Sequence, residues 1–318
     1  METLGLHHIT AITSDAEKIY QFMTEVLGLR LAKKTVNQDD IHTYHLFFTD
    51  SLASPGTDLT FFDFKGIQQR QLGSNSIQTI GLRVPSDEAL SFFKKRFENL
   101  GISHQGMQHL HDMKYLAFQD FDGQHYALFS DEGVPGVEGG VPWKHKEIPE
   151  SYAIVGLGPI ELRAQDISSM HIVMIEYMGF KKIFTQDNTH VYETYKGGHG
   201  ARVIVIEDNR APARQGYGGV HHVAFGVKDD EALHQWIQKL NNIPARHSGY
   251  VDRFYFHSLY TRLYSGILFE FATLGPGFVD DEESLENLGT TLALPPKLRP
   301  HRKQIEAMIR PIHTGGTS

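Results

Sequence analysis

Gly219-Val220-His221-His222-Val223-Ala224-Phe225-Gly226-Val227 places two adjacent imidazoles inside a run that otherwise reads as a buried β-strand. A close copy, Leu6-His7-His8-Ile9-Thr10-Ala11-Ile12, opens the chain, and each run leads directly into a helix-start signal. Two strands that carry the same pair at the same place imply equivalent positions in a repeat. After the first copy, Ser14-Asp15-Ala16-Glu17 matches a capping box, in which the serine oxygen and the glutamate satisfy free backbone N–H groups. Ile19, Phe22, Met23, Val26 and Leu27 then form one helical stripe, and Gly28 can close the helix in a left-handed conformation. Apolar or alternating runs at 30–36, 42–48 and 59–64 read as strands, so the unit is βαβββ.

The same order returns three times. The second copy has a strand at 77–84, a helix at 86–100 and strands near 102–108, 114–119 and 125–129. The third runs from Tyr152 through a helix near 167–178 to a strand at 201–207. The fourth begins at the second His-His strand, continues through a helix at 229–241, and has strands near 250–256, 258–263 and 267–273. The expected fold class is therefore α+β, built from four βαβββ modules. Residues 131–149, rich in Gly and Pro, divide the modules into two pairs. That division gives an N-terminal domain at 1–135, a C-terminal domain at 150–275 and a tail at 276–318.

Composition narrows the chemistry. A chain of 318 residues with 40% hydrophobic content can bury substantial cores. It contains no cysteine, which excludes disulfides and thiolate ligands, leaves any metal to His, Asp and Glu, and fits a reducing cytoplasm. No basic segment precedes an apolar one at the start and no long apolar run occurs, so neither secretion nor a membrane span is expected. A net charge of −8 argues against nucleic acid, and the locally basic run 297–303 reads as a solvated tail. The oligomeric state, a homo-oligomer included, is left open.

Aligning the modules isolates the unusual positions. Where modules one and four have His-His, module two has Gln78-Thr79 and module three has Gly158-Pro159. On the last strand, Glu270 interrupts the apolar run Gly266-Ile267-Leu268-Phe269-Glu270-Phe271-Ala272, and its counterparts are Thr60, Ala127 and Ile204. A buried glutamate is costly unless paired or bound to a metal. Each feature has an ordinary explanation: a strand histidine is commonly a hydrogen-bonded core residue, and Glu270 could pair with Arg262 or Arg253. Together, two histidines at matching positions and one glutamate supply the 2-His-1-carboxylate set that suits Fe(II).

These residues resemble the vicinal oxygen chelate superfamily, which includes glyoxalases, bleomycin-resistance proteins and extradiol dioxygenases. Within it the chain is similar, over nearly its whole length, to the hydroquinone-type ring-cleaving dioxygenases, the group of 2,6-dichlorohydroquinone 1,2-dioxygenase and the methylhydroquinone-resistance proteins. The likeness rests on the two His-His strands, Tyr44-His45-Leu46-Phe47-Phe48 followed by Pro55-Gly56-Thr57, the Glu270 strand, and tail elements such as Gly277-Phe278, Asp281-Glu282 and Leu294-Pro295-Pro296. The resemblance implies Fe(II) held by His8, His222 and Glu270, with a small aromatic substrate and O2 as reactants. It also implies polar roles near the site for His7, Thr10, His221, Arg253 and Tyr260. The remote hydroxyl of a para-hydroquinone cannot reach the metal that holds the other oxygen, so it needs a protein partner such as Tyr260, Arg253 or His221.

Strict strand alternation sends His7 and His221 to the face opposite their neighbours, whereas the resemblance keeps them at the site. A bulge at the strand start reconciles the two. Two other classes stand as alternatives: a glyoxalase-like metal-dependent isomerase or transferase, and a metal-free small-molecule-binding protein. Thr60 cannot supply the second carboxylate that a glyoxalase-type site generally needs.

Overall fold

The computed structural model describes residues 2–280 and 282–314; Met1, Asp281 and residues 315–318, which belong to the expected N-terminal domain and tail, lie outside the described residues. Module one comprises β1 (Leu6–Ile12), α1 (Ala16–Gln21), β2 (Arg30–Val36), β3 (Tyr44–Thr49) and β4 (Asp58–Phe62). Module two comprises β5 (Ser76–Val84), α2 (Asp87–Leu100), β6 (His104–Leu110), β7 (Met113–Gln119) and β8 (His125–Ser130). Module three follows with β9 (Gly156–Ala164), α3 (Ile167–Ile172), β10 (Lys181–Gln186), β11 (Thr189–Glu193) and β12 (Arg202–Glu207). Module four has β13 (Gly219–Val227), α4 (Asp230–Leu240), β14 (Val251–Asp252), β15 (Phe256–Tyr264) and β16 (Ile267–Pro276). The four βαβββ copies are all present.

Local departures have local causes. Asp15, not Ser14, caps α1, its carboxylate accepting from the N–H groups of Glu17 and Lys18 at 3.0 and 3.1 Å. The Ser14 hydroxyl instead donates to Asp122. α1 and α3 each widen into a π-helical turn, at Phe22–Val26 and Val173–Tyr177, before Gly28 and Gly179 reverse the chain with φ of +74° and +78°. The strand expected over 250–256 shrinks to the two residues of β14, because Arg253 turns the chain by donating its N–H to the Phe256 carbonyl, with Phe254 at φ +71°.

The sheets do not follow the sequence halves. One eight-stranded sheet runs β14-β15-β16-β13-β1-β4-β3-β2 and the other β10-β11-β12-β9-β5-β8-β7-β6. Modules one and four thus form one curled sheet and modules two and three the other, which corrects the expected grouping of 1–135 against 150–275. Each first strand is parallel to the last strand of its own module, leaving one edge open, and β1 fills that edge with β13 while β5 fills it with β9. The linkers between the sheets, 63–75 and 208–218, run together through the bridges Gln69 to Tyr217, Gln71 to Arg214 and Ser74 to Pro212. The Gly/Pro-rich stretch is instead the crossover from β8 to β9 within one sheet.

Strand alternation sorts the faces of the first sheet. Ile9 and Ala11 of β1, Val223 and Phe225 of β13, and Phe269 and Phe271 of β16 join the main core, where Trp236 of α4 stacks on Phe271 at 4.2 Å. Their neighbours His8, Thr10, His222 and Glu270 take the inner face. The tail closes over that face: Phe278 and Leu288 pack with Phe47, Tyr255 and Phe256, and buried Lys33 of β2 donates to Glu283 at 2.8 Å. The basic run is not a free tail, since Arg299 and Arg302 reach Glu282 at 3.2 and 2.8 Å.

Candidate metal centre

His8 on β1, His222 on β13 and Glu270 on β16 converge on one point of the inner face. Glu270 Oε2 lies 3.1 Å from His8 Nε2 and 3.0 Å from His222 Nε2, and the two nitrogens are 3.2 Å apart. All three side chains are buried, and among the described residues they form a group of ligand atoms able to hold a metal ion. The spacing fits such an ion: bonds of about 2.1 Å meeting at right angles put neighbouring ligand atoms roughly 3 Å apart. Ser258 donates to the other carboxylate oxygen, Glu270 Oε1, at 2.6 Å and so turns Oε2 toward the two rings.

The neighbouring histidines fix how these rings present themselves. Register shifts in the β1 and β13 pairing leave one extra residue on each strand, His7 between Leu6 and His8, and His221 between Val220 and His222. The bulges carry each ring back beside its neighbour, with Nδ1 to Nδ1 distances of 2.9 Å for His7 and His8 and 2.8 Å for His221 and His222. His7 Nε2–H donates to the Thr273 carbonyl at 3.0 Å, and burial, followed by the nearby His8, pushes its pKa down to about 3. Neutral His7 must then accept at Nδ1, so His8 donates its Nδ1–H, which leaves Nε2 to bind an ion or, without one, to carry a proton toward Glu270 Oε2. The same logic, applied from His222 as a ligand, gives His221 an Nε2–H.

The electrostatics favour an ionised carboxylate. Burial alone would raise Glu270, yet the charge and hydrogen bonds of His8 and His222 hold it well below its ordinary value. Asp58, paired with His8 across β1 and β4, behaves oppositely. Burial pushes it up to about 7, and neither of its oxygens has a hydrogen-bond partner among the described residues.

A cavity of about 340 Å³ opens over His8 and His222. His45, Phe47, Phe62, Phe256 and Leu268 form walls, while His221, Arg253 and Tyr260 supply polar groups. Arg253 Nε donates to the Tyr260 hydroxyl at 3.1 Å, and its guanidinium also pairs with Asp39 at 3.0 Å. Gln38 donates to the Arg253 carbonyl at 2.7 Å, so the β2–β3 and β14–β15 turns are clasped at the mouth. Of the residues expected around the site, His221, Arg253 and Tyr260 line this cavity, whereas His7 and Thr10 do not. His7 lies behind His8, and Thr10 is bonded to Thr60 at 2.7 Å. Neither Arg262 nor Arg253 takes Glu270 as its partner.

Sequence reading missed Ser258, Asp58 and the environment of His45. Ser258 was accessible in principle, since it lies two residues before Tyr260 and so shares its face of β15. Asp58 escapes the sequence pattern because the apolar run 59–64 begins one residue after it, whereas β4 begins at Asp58.

Residues 5–128 match the family model for the Glyoxalase/Bleomycin resistance protein/Dioxygenase superfamily. The chain is 44% identical over 318 residues to the Bacillus subtilis (strain 168) protein named "Putative ring-cleaving dioxygenase MhqA", covering 98% of this chain and 100% of that one. It is 29% identical over 310 residues to the chlorohydroquinone/hydroquinone 1,2-dioxygenase of Sphingobium indicum, covering 92% of each. A solved Bacillus subtilis structure described as a "putative dioxygenase" superimposes with a TM-score of 0.91 at 31% identity, covering 99% of both chains. Glyoxalase I from Zea mays, at 11% identity, 85% coverage of this chain and 92% of its own, shares the fold with a TM-score of 0.60. The repeated module, the paired sheets and these relatives together place the chain in the glyoxalase/bleomycin resistance protein/dioxygenase superfamily, to which it belongs.

Proposed function

We propose that this chain is a ring-cleaving dioxygenase that opens a substituted para-hydroquinone with O2, holding Fe(II) on His8, His222 and Glu270. The observation that carries the reading is the convergence of two Nε2 atoms and one carboxylate oxygen on a single point at the base of a cavity. The hydroquinone 1,2-dioxygenase among the relatives supports the substrate class. Two imidazoles and one carboxylate leave coordination positions open, the arrangement that suits Fe(II) in O2 chemistry. Bound iron would relay electron density between a phenol oxygen and O2, easing a spin-forbidden reaction.

The chain's own residues hold the ring and manage protons. Phe47, Phe62, Phe256 and Leu268 offer apolar walls to an aromatic ring and restrict water in the cavity. His221, with Nε2–H, and Tyr260 lie beside the histidine ligands, the Tyr260 ring 5.8 Å from that of His222. Burial first, and then the Glu270 charge, raises the Tyr260 hydroxyl above its ordinary value, so it keeps a proton to donate. Arg253 stays charged, since Tyr260 and Asp39 outweigh its burial, and it orients that hydroxyl. Thr60 at the position equivalent to Glu270 leaves no second carboxylate there, which weighs against a glyoxalase-type isomerase.

Anaerobic loading with Fe(II), followed by O2 uptake on methylhydroquinone and 3-methylcatechol, tests the reading. Rapid uptake with the hydroquinone is expected. Preference for the catechol would overturn the substrate class, and no uptake with either by iron-loaded protein would overturn the reaction.

A further inference from the structure

His45 lines the cavity wall but has no chemical role in the site described so far, although ring contacts and a hydrogen bond both hold it. Its ring packs against Phe47 along its own strand and Phe62 across the strand pair, with centroids 3.9 and 4.3 Å away. Its Nε2 lies 2.9 Å from Thr60 Oγ1, which in turn lies 2.7 Å from Thr10 Oγ1. Thr10 and Thr60 are both fully buried.

Counting protons along this chain fixes its direction. If His45 donated Nε2–H to Thr60, then whichever threonine donated to the other, one buried hydroxyl proton, of Thr10 or of Thr60, would have no acceptor among the described residues. In the opposite sense every proton is placed: Thr10 donates to Thr60, Thr60 donates to His45 Nε2, and His45 carries its proton on Nδ1. That nitrogen has no hydrogen-bond partner among the described residues, is absent from the fully buried unpartnered atoms, and belongs to a ring that lines the cavity.

Strand order places this donor away from the metal ligands. His8, His222 and Glu270 lie on the adjacent strands β1, β13 and β16, and Tyr260 is on β15 beside Glu270. His45 is on β3, two strands beyond β1 in the other direction, or about 10 Å along the sheet at the usual strand spacing. The sheet curls, so β3 forms a wall across the cavity from β15. A ring bound at the metal extends into the space between.

We infer that His45 is a specificity-determining residue whose Nδ1–H donates to the substrate oxygen remote from the metal, with Thr60 and Thr10 as positioning residues that set its tautomer. The inference rests on the proposed hydroquinone activity for the identity of that oxygen, but not for the tautomer. A para-dioxygenated ring places an acceptor at both ends, whereas a simple phenol leaves His45 without one, and a site built for a hydroxyl rejects analogues lacking it.

The test uses full-length protein loaded with Zn(II), which binds without turnover. Nitrogen-15 NMR of labelled histidine is expected to show His45 as the Nδ1–H tautomer, and Thr60→Val should move it toward Nε2–H. In binding titrations, His45→Phe should weaken methylhydroquinone about ten-fold or more while leaving phenol within two-fold, roughly the effect of one hydrogen bond. His45→Asn, whose amide nitrogen reaches the place of Nδ1, should restore part of the preference, and Thr60→Val should lose it with the ring still present. An Nε2–H tautomer in the unaltered protein would overturn the proposal. Equal loss of methylhydroquinone and phenol in His45→Phe would do the same. Failure of O2 uptake with an intact Nδ1–H tautomer and binding preference would instead count against the proposed reaction alone.

Discussion

Glu270 and Asp58 are two buried carboxylates on the same inner face that meet opposite fates, and the difference lies in their partners. Glu270 accepts from Ser258 and faces two imidazoles, whereas Asp58 has no hydrogen-bond partner among the described residues. Glu270→Gln keeps the size of the side chain but removes the charge that a divalent ion requires. It should retain the fold by circular dichroism and lose metal affinity by at least about 100-fold in competition titrations. Unchanged affinity would remove Glu270 from the ligand set. For Asp58, the folded carboxyl keeps its proton up to about pH 7, while the ordinary value is 3.8. The folded state therefore binds the extra proton between those values, and the stability this confers is complete below 3.8 and lost as pH rises through 7. Asp58→Asn should leave metal-free stability unchanged near pH 4 and raise it by on the order of 2 kcal/mol at pH 8, measured by urea unfolding. A gain independent of pH would show that ionisation is not the cause. The convergence of His8, His222 and Glu270 was legible because repeat alignment isolates residues that break a shared apolar pattern. Asp58 and His45 were not, because their importance comes from partners on other strands or from the lack of any.

At the scale of elements, the β-bulges and the tail do what regular strands cannot. Period-two alternation would send His7 across the sheet from His8, and only an inserted residue returns the ring to the same side. The sequence offers the conflict between alternation and resemblance but no local mark of the bulge, which is a property of the pairing between β1 and β13. The tail is expected from sequence as a segment of its own, and nothing in the sequence marks its docking on the inner face. Lys33 reads as an ordinary exposed residue of an alternating strand, and only the fold brings Glu283 to it at 2.8 Å with both side chains buried. Removing Glu283 leaves buried Lys33 with only the longer pair to Asp280, at 3.5 Å. Glu283→Ala should therefore cost about 3 kcal/mol and make the tail susceptible to limited proteolysis. Lys33→Met combined with Glu283→Leu should recover most of that loss, because two apolar groups need no ion partner. If the double variant were as unstable as Glu283→Ala, the cost would lie in side-chain packing rather than in the stranded lysine.

At the scale of the molecule, the pairing of module one with four makes the candidate metal centre a product of both sequence halves. His8 comes from the first half, while His222 and Glu270 come from the second, and they meet only because β1 lies against β13. The four modules were legible from their repeated order of elements. Their pairing was not, because a Gly/Pro-rich stretch looks the same whether it joins two domains or crosses from β8 to β9 within one sheet. This topology predicts how the chain behaves when divided near residue 140. The fragment 1–140 would carry two four-stranded half-sheets, each exposing the open edge and apolar face of its first strand, β1 or β5. The fragment 141–318 would expose β9 and β13 in the same way. Neither fragment should show cooperative unfolding alone, and both should tend to aggregate. Mixed during refolding, they should form a one-to-one complex that binds a divalent metal, with backbone amide protection appearing in β1, β5, β9 and β13 together. Cooperative folding of 1–140 as an isolated monomer would mean that neighbouring modules can form a domain of their own. Metal bound at one equivalent by 141–318 alone would mean that His8 is dispensable. The arrangement predicts instead that a cut in the middle of the chain divides both sheets at once, and that metal affinity and folding recover in the same titration.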